Sequence, residues 1–198
     1  MIKFNELCKE EPYIELQARY ENALEMNQKN IEAISISSFS KELNEVNSRY
    51  VNLKFIKNKD LIFFSNYRSP KAKEFEQHDQ VTALIYWNSI NTQIRIKALI
   101  KKTSQEFNKN YFFNRSEQKN ALAISSRQSE LIDSYDSVRK NYNSTLKLEN
   151  LKDCPEYWGG FALTPYYFEF WEGHVSRLNK RDVYKLKNSD WNKSVIQP

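Results

Sequence analysis

The run QIRIKALIKK, residues 93–102, alternates so strictly that an extended chain is the conformation that gathers its apolar side chains. Ile94, Ile96, Ala98 and Ile100 share one face, and Gln93, Arg95 and Lys97 share the other. This is a strand with one wet side. The same period of two runs through IEAISISSFS, where Ile34, Ile36 and Ser38 alternate against Ser35 and Ser37. Further strands are expected in RYVNLKFI, LIFFSN and VTALIYW, and toward the C-terminus in GGFAL, YYFEFWEG, VYKL and WNKSVI, divided by Gly, Pro and polar turns.

Four stretches read as helices. EPYIELQARYENALEM spaces Tyr13, Leu16, Tyr20, Ala23 and Leu24 helically, with Pro12 suited to a first turn. In SPKAKEFEQH, Ser69 is the expected N-cap and Pro70 the first helical residue, so its N-terminus would attract anions. SQEFNKNYFFNR brings Phe107 beside Tyr111, and RQSELIDSYDSVRKNYNS repeats Leu131, Tyr135, Val138 and Tyr142. Strands joined mostly by short connections, without a regular βαβ alternation, predict a mainly β (α+β) fold: an antiparallel sheet or barrel with peripheral helices. Residues 1–198 are expected to form one domain, with 1–30 as an N-terminal helical segment and 161–198 as C-terminal strands completing the site.

Several chemistries are excluded early. The chain has only three glycines, so no Gly-rich phosphate loop is present. His78, His174, Cys8 and Cys154 offer no local pair of metal ligands, and no metal is expected. No GxSxG turn supports a serine nucleophile, and the carboxylates are dispersed, without a pair spaced for acid/base work. An enzyme so poor in reactive side chains would borrow its chemistry from a cofactor. The net charge of +5 arises from 30 basic and 25 acidic residues that are interspersed, which disfavours a nucleic-acid groove. Two isolated cysteines, no apolar run near the roughly 20 residues that span a bilayer, and no signal-peptide core point to the cytosol, without a membrane partner.

One stretch is unusual in carrying both an aromatic wall and cations. FEFWEGHVSRLNKR, residues 168–181, sets Phe168, Phe170 and Trp171 ahead of Arg177, Lys180 and Arg181. Alone it reads as core packing followed by a solvated turn. Taken with RYVNLK, FFSNYRSPKAKE, YWNSINTQIRIKALIKK, YFFNR, SSRQS, WGGFALTPYYFEFWEG and RLNKRDVYKL, in that order, it resembles the pyridoxamine 5'-phosphate oxidase family from about residue 30 onward. The WGG…EFW…RL…R run is the most specific part.

The resemblance implies an antiparallel split β-barrel that works as a homodimer, with two FMN sites at the subunit interface. It implies oxidation of pyridoxamine or pyridoxine 5'-phosphate to pyridoxal 5'-phosphate, with dioxygen as acceptor and hydrogen peroxide as product. Arg49, Phe64, Ser65, Lys71, Gln93, Gln128, Ser129, Trp171 and Arg181 fall at the family's FMN positions. Lys54, Tyr111, Arg115, Lys119, Arg177 and Asn179 fall at its substrate positions, with Arg177 and Asn179 at the catalytic ones. Arg49 and Lys54 are five apart, so a regular strand would turn them to opposite faces unless a bulge intervenes.

Some positions depart from the family. Asn179 stands for a histidine, Lys180 for an aspartate, Lys119 for a serine and Phe64 for a tyrosine. Pro70 stands for a cation in the phosphate loop, where Arg68 and the helix N-terminus are the expected substitutes. Two alternatives follow: a family flavoenzyme with another substrate, such as a phenazine precursor, or a non-catalytic binder of FMN, haem or a vitamin B6 phosphate.

Overall fold

The computed structural model describes residues 1–148 and 150–198. Among the described residues nine strands form one sheet: β1 (Lys3–Asn5), β2 (Ala33–Ser40), β3 (Glu45–Lys57), β4 (Asp60–Asn66), β5 (Gln80–Trp87), β6 (Thr92–Lys102), β7 (Trp158–Glu172), β8 (Lys180–Lys187) and β9 (Asp190–Val195). Five helices accompany them: α1 (Glu11–Glu25), α2 (Pro70–Gln77), α3 (Gln105–Phe113), α4 (Glu117–Ser125) and α5 (Tyr135–Thr145). The pairings β2–β3–β4–β7–β6–β5–β2 close a six-stranded antiparallel barrel. The long strands make closure possible, because each changes partner along its length. β3 passes from β2 to β4, and β7 pairs with β4, β6 and then β8.

The alternation of β6 is realised as expected: Ile94, Ile96, Ala98 and Ile100 are buried, while Gln93, Arg95 and Lys97 face outward. Inside, they meet Ile34, Ile36, Leu53, Phe63, Phe161 and Phe168. Full burial of one such side chain contributes about 1.5–3 kcal/mol. Helix α1 lays Tyr13, Leu16, Tyr20 and Ala23 into the same core, with Tyr13 edge-on to Phe168 at 5.3 Å and Tyr20 to Trp87 at 6.0 Å.

Most positions that need a left-handed residue use asparagine. Asn27, Asn30, Asn44, Asn58, Asn91 and Asn188 all have φ near +50°, whereas no glycine has positive φ. Gly159 and Gly160 instead permit close approach. A Cβ on Gly159 would lie 2.1 Å from the Tyr67 hydroxyl, and one on Gly160 would lie 2.5 Å from Thr103 Oγ1.

Several local expectations are corrected. GGFAL and YYFEFWEG are one strand, β7, which runs through Pro165. The β6 partner register slips there, from Lys97↔Tyr167 to Ala98↔Pro165, so a bulge accommodates the residue that lacks an N–H. The helix expected across 127–144 begins only at Tyr135. Ser134 caps it by accepting from Ser137 N at 3.1 Å, Ser129 upstream adopts φ 70°, and Leu131 is fully exposed, so that apolar period had no surface to bury against. Ser69 is the N-cap residue of α2 and Pro70 its first residue, as expected, but the Ser69 hydroxyl donates back to Asn66 O at 2.8 Å and accepts from no N–H of the first turn. Helix α4 and the short β1 were not anticipated. Only Asn120 and Ala121 of α4 are buried, a signal too thin to read as a periodic face.

Among the described residues no helix is long and apolar enough to cross a membrane, and Cys8 and Cys154 are unpaired.

Candidate functional site

The first group of expected residues gathers where α2 covers one end of the barrel. Arg49, on β3, donates from Nη2 to Glu74 Oε2 at 2.8 Å and from Nη1 to Ser38 Oγ. Glu74, nearly fully buried on α2, also accepts from Ser38 Oγ and from Asn47 Nδ2 at 3.1 Å. One turn earlier, Lys71 points Nζ at Ser65 Oγ and Ser69 Oγ, both at 3.3 Å. Burial, then the neighbouring Arg49 charge, lowers the Lys71 ammonium to about 8, with Glu74 opposing the shift. Two cations, one buried and one half-buried, against one carboxylate leave an excess of positive charge, which an anion would compensate.

Ser65 links this cluster to the 126–128 loop. Its hydroxyl donates to Gln128 Oε1 at 3.0 Å, and Asn66 N donates to the same oxygen at 3.3 Å. Beside them a cavity of about 410 Å³ is lined by Asn52, Phe64, Ser65, Arg115, Lys119, Gln128 and Trp158. Among the described residues two cations and no carboxylate line it. Phe64 stacks on Tyr111 at 4.0 Å and on Trp158 at 5.1 Å. The Arg115 guanidinium lies 4.4 Å from the centroid of the Trp158 ring, and its Nη2 donates to Lys119 O at 3.3 Å. Its Nη1 is buried without a partner among the described residues, and burial lowers the Arg115 pKa.

A buried hydrogen-bond network fixes α3 against β7 and so sets where Tyr111 and Arg115 stand. Asn108 Nδ2 donates to Tyr67 Oη at 3.0 Å, Tyr67 Oη donates to Gly160 O at 3.0 Å, and Gly160 N donates to Asn108 Oδ1 at 2.8 Å. Helix α3 ends at Phe113, so Tyr111 and Arg115 do not share a helix as expected. Arg115 follows it on the turn to α4.

Lys54 is not brought to this cavity. It is the extra residue of a bulge between Leu53 and Phe55, and its ammonium lies 3.5 Å from Glu32. A bulge does intervene between Arg49 and Lys54, but it leaves Lys54 at Glu32 and does not turn it to Arg115. Arg68, the expected substitute for a cation at Pro70, sits over the Tyr157 ring at 4.8 Å. It lines a neighbouring cavity of about 380 Å³ together with Gln128. Ser129 is exposed with φ 70° and lines another hollow beside Leu131.

The second group lies on the outer face of the barrel. Gln93, Trp171 and Arg181 are direct cross-strand neighbours on β6, β7 and β8, and so form one row. Arg181 binds Glu169, which also meets Arg95. Burial alone would raise Glu169, but hydrogen bonds from Arg181 and Tyr167 and the charges of Arg95 and Arg181 hold it below the usual carboxylate value. In the turn between β7 and β8, Arg177 is exposed and left-handed, with φ 64°. Asn179 Oδ1 accepts from His174 N at 3.0 Å, so this side chain ties the turn together. Register places Tyr50, Leu84 and Tyr86, all exposed, on the same outer face as this row.

No hydrogen bond or ion pair joins the two groups among the described residues. Glu74, Glu169, Trp158 and Asn52 stand beside the expected residues without having been expected there. Glu74 was visible three positions after Lys71, and Glu169 lay within the quoted EFW motif.

A family model described as the pyridoxine 5'-phosphate oxidase C-terminal dimerisation region matches residues 158–198. A pyridoxine/pyridoxamine 5'-phosphate oxidase of Rhodopirellula baltica is 34% identical, over 96% of this chain and 87% of that protein. Another, from Hydrogenovibrio crunogenus, is 32% identical over 95% and 88%. Among solved structures, PhzG from Burkholderia lata, in complex with tetrahydrophenazine-1-carboxylic acid, superposes with a TM-score of 0.89 at 24% identity, covering 95% of this chain and 93% of that one. A pyridoxamine 5'-phosphate oxidase-related FMN-binding protein from Nostoc punctiforme superposes with a TM-score of 0.78 at 13% identity, covering 92% and 97%.

Proposed function

The chain belongs to the pyridoxine/pyridoxamine 5'-phosphate oxidase family, and from that premise we propose that it is a homodimeric FMN-dependent oxidase of pyridoxamine or pyridoxine 5'-phosphate. The observation that carries this reading is the pair of cations, half-buried Arg49 and buried Lys71, which among the described residues meets the single carboxylate of Glu74. These residues fit a phosphate-bearing cofactor. Arg49, Lys71 and Ser65 would hold the FMN phosphate, with Gln128 over it. The row of Gln93, Trp171 and Arg181 would reach the same flavin from a second copy of the chain, which accounts for the separation of the two groups within one chain. Exposed Tyr50, Leu84 and Tyr86 on that outer face supply apolar area for such a contact.

FMN, when bound, supplies the hydride acceptor for the 4' carbon of the substrate and returns the electrons to dioxygen, yielding hydrogen peroxide. The chain's own side chains bind and orient. Arg115 and Lys119 would receive the substrate phosphate, with the unpartnered Arg115 Nη1 as a ready donor. Phe64 and Trp158 would exclude water on one side. Arg177 would stand beside the substrate ring, and Ser129 beside the flavin. Asn179 would act through the shape of the 174–179 turn. The cytosol, with its reducing poise, suits two unpaired cysteines.

Two observations favour a second reading. Asn179 is occupied within its own turn, and Lys119 adds a cation where the family resemblance has a serine, so the same flavoenzyme would serve a different anionic ring such as a phenazine precursor. An oxidase assay on FMN-saturated protein tests both. Hydrogen peroxide formed with pyridoxamine or pyridoxine phosphate, and not with a dihydrophenazine carboxylate, supports the first reading; the reverse supports the second. A chain that binds no FMN ends both.

A further inference from the structure

We propose that Glu169 is a positioning residue for the flavin site, orienting Arg181 together with the backbone carbonyl of Gln197; this rests on the assignment of Arg181 to FMN made above. Arg181 Nε and Nη2 donate to Glu169 Oε1 at 2.9 and 2.7 Å, and Nη1 donates to Gln197 O at 3.0 Å. Three of the five guanidinium N–H groups are thereby used inside the chain, which leaves one on each Nη for a ligand. The direction in which those two point is set by the groups that hold the other three.

Sheet geometry explains why Glu169 can do this. On the outer face it stands directly opposite Arg95 of β6, and it is the diagonal neighbour of Arg181, since Trp171 pairs with Arg181 and Glu169 with Val183. Its second oxygen is occupied as well, by Arg95 Nη2 at 2.5 Å and Tyr167 Oη at 2.8 Å. Glu169 is only 2% exposed, and a carboxylate so buried is tolerated because both oxygens are paired. Arg95 and Tyr167 therefore fix Glu169, and Glu169 fixes Arg181. Without the carboxylate two guanidinium groups would face each other unscreened, and Arg181 would recover the rotamer freedom that binding must then remove. The Gln197 contact gives the chain's last residues a part in the same hold, reinforced by Ile196 N donating to Arg181 O at 3.1 Å.

The test is an FMN titration, read by flavin absorbance and fluorescence, on the wild-type chain, Glu169→Gln, Glu169→Asp and a chain lacking residues 197 and 198, each with its thermal midpoint measured without flavin. Loss of a hydrogen-bonded charge partner should weaken FMN binding roughly 10- to 100-fold in Glu169→Gln. Glu169→Asp should recover part of the loss, and the shortened chain should bind FMN more weakly while unfolding as the wild type does. The residues removed in that chain are exposed, so it remains informative even where Glu169→Gln fails to fold. Unchanged FMN affinity in folded Glu169→Gln or in the shortened chain overturns the inference alone. Wild-type protein that binds no FMN overturns the proposed function and this inference with it.

Discussion

Arg115 lies over Trp158, its guanidinium carbon 4.4 Å from the ring centroid, on the wall of the cavity that Lys119 also lines. The indole face therefore presents the cation to an incoming anion. A cation over a partly desolvated aromatic ring is worth about 0.5–2 kcal/mol. Trp158→Leu should raise KM for the phosphorylated substrate by roughly 2- to 30-fold with kcat nearly unchanged. Trp158→Phe, which keeps a face, should lose much less. Steady-state kinetics on both variants check this, and a loss confined to kcat would contradict it.

Lys71 should make FMN binding depend on pH. Its pKa is lowered to about 8 by burial and by Arg49, so the ammonium is lost as pH rises through that value. FMN affinity should decline from pH 7 to pH 9, and Lys71→Met should bind weakly with a flat profile. Binding of the phosphate near pH 8 should take up protons, seen as a buffer-dependent heat in calorimetry.

The same shift has a consequence for stability with a definite sign. Between about 8 and the ordinary 10.5 the unfolded chain holds a proton that the folded chain does not, so the Lys71 contribution to stability rises with pH in this window. Below pH 8 the buried ammonium costs on the order of 3 kcal/mol. Flavin-free Lys71→Met should therefore be more stable than the wild type at pH 7 by up to that amount, and the difference should shrink toward pH 10. Denaturant titrations at both pH values measure it.

Arg177 joins an exposed guanidinium to a left-handed backbone with φ 64°. Arg177→Gly and Arg177→Ala should lower turnover alike, with little loss of FMN, because both remove the side chain. Only the glycine variant relieves the backbone, so it should be more stable by about 1 kcal/mol. Normal turnover in either variant would refute a catalytic role.

Gly159→Ala should disturb the site from a distance. The added Cβ would meet Tyr67 Oη and Asn108 Nδ2 at 2.1 and 2.4 Å, within the network that fixes α3. Overpacking of this kind costs about 1–3 kcal/mol. A lowered thermal midpoint with a raised substrate KM is expected, since Tyr111 and Arg115 follow α3.

The barrel was legible in the sequence wherever one face is buried and the other wet, as in β6, where Ile94, Ile96 and Ala98 all landed inside. Reading failed where local chemistry was overridden by the neighbours. Pro165 looks like a turn but is absorbed by a bulge that β6 tolerates. Leu131 fits a helical period, yet no apolar surface faces it. Of the expected site residues, Arg49, Ser65, Lys71 and Gln128 meet at one end of the barrel, and Gln93, Trp171 and Arg181 align on the outer face. Lys54 goes elsewhere because a bulge, invisible in the spacing, sends it to Glu32. Glu74 and Glu169 carry no signal in the sequence because an acidic residue among cations makes sense only once the arginines it pairs with are seen.

Strand β7 carries Gly159 at one end and Trp171 at the other, so a single chain holds the two halves of the proposed site on separate surfaces. Each subunit would lend one half to each of two pockets. Two crippled proteins should then rescue each other: Lys71→Met subunits mixed with Arg181→Ala subunits, unfolded and refolded together, should regain oxidase activity that neither shows alone, because every hybrid would rebuild one pocket from undamaged parts.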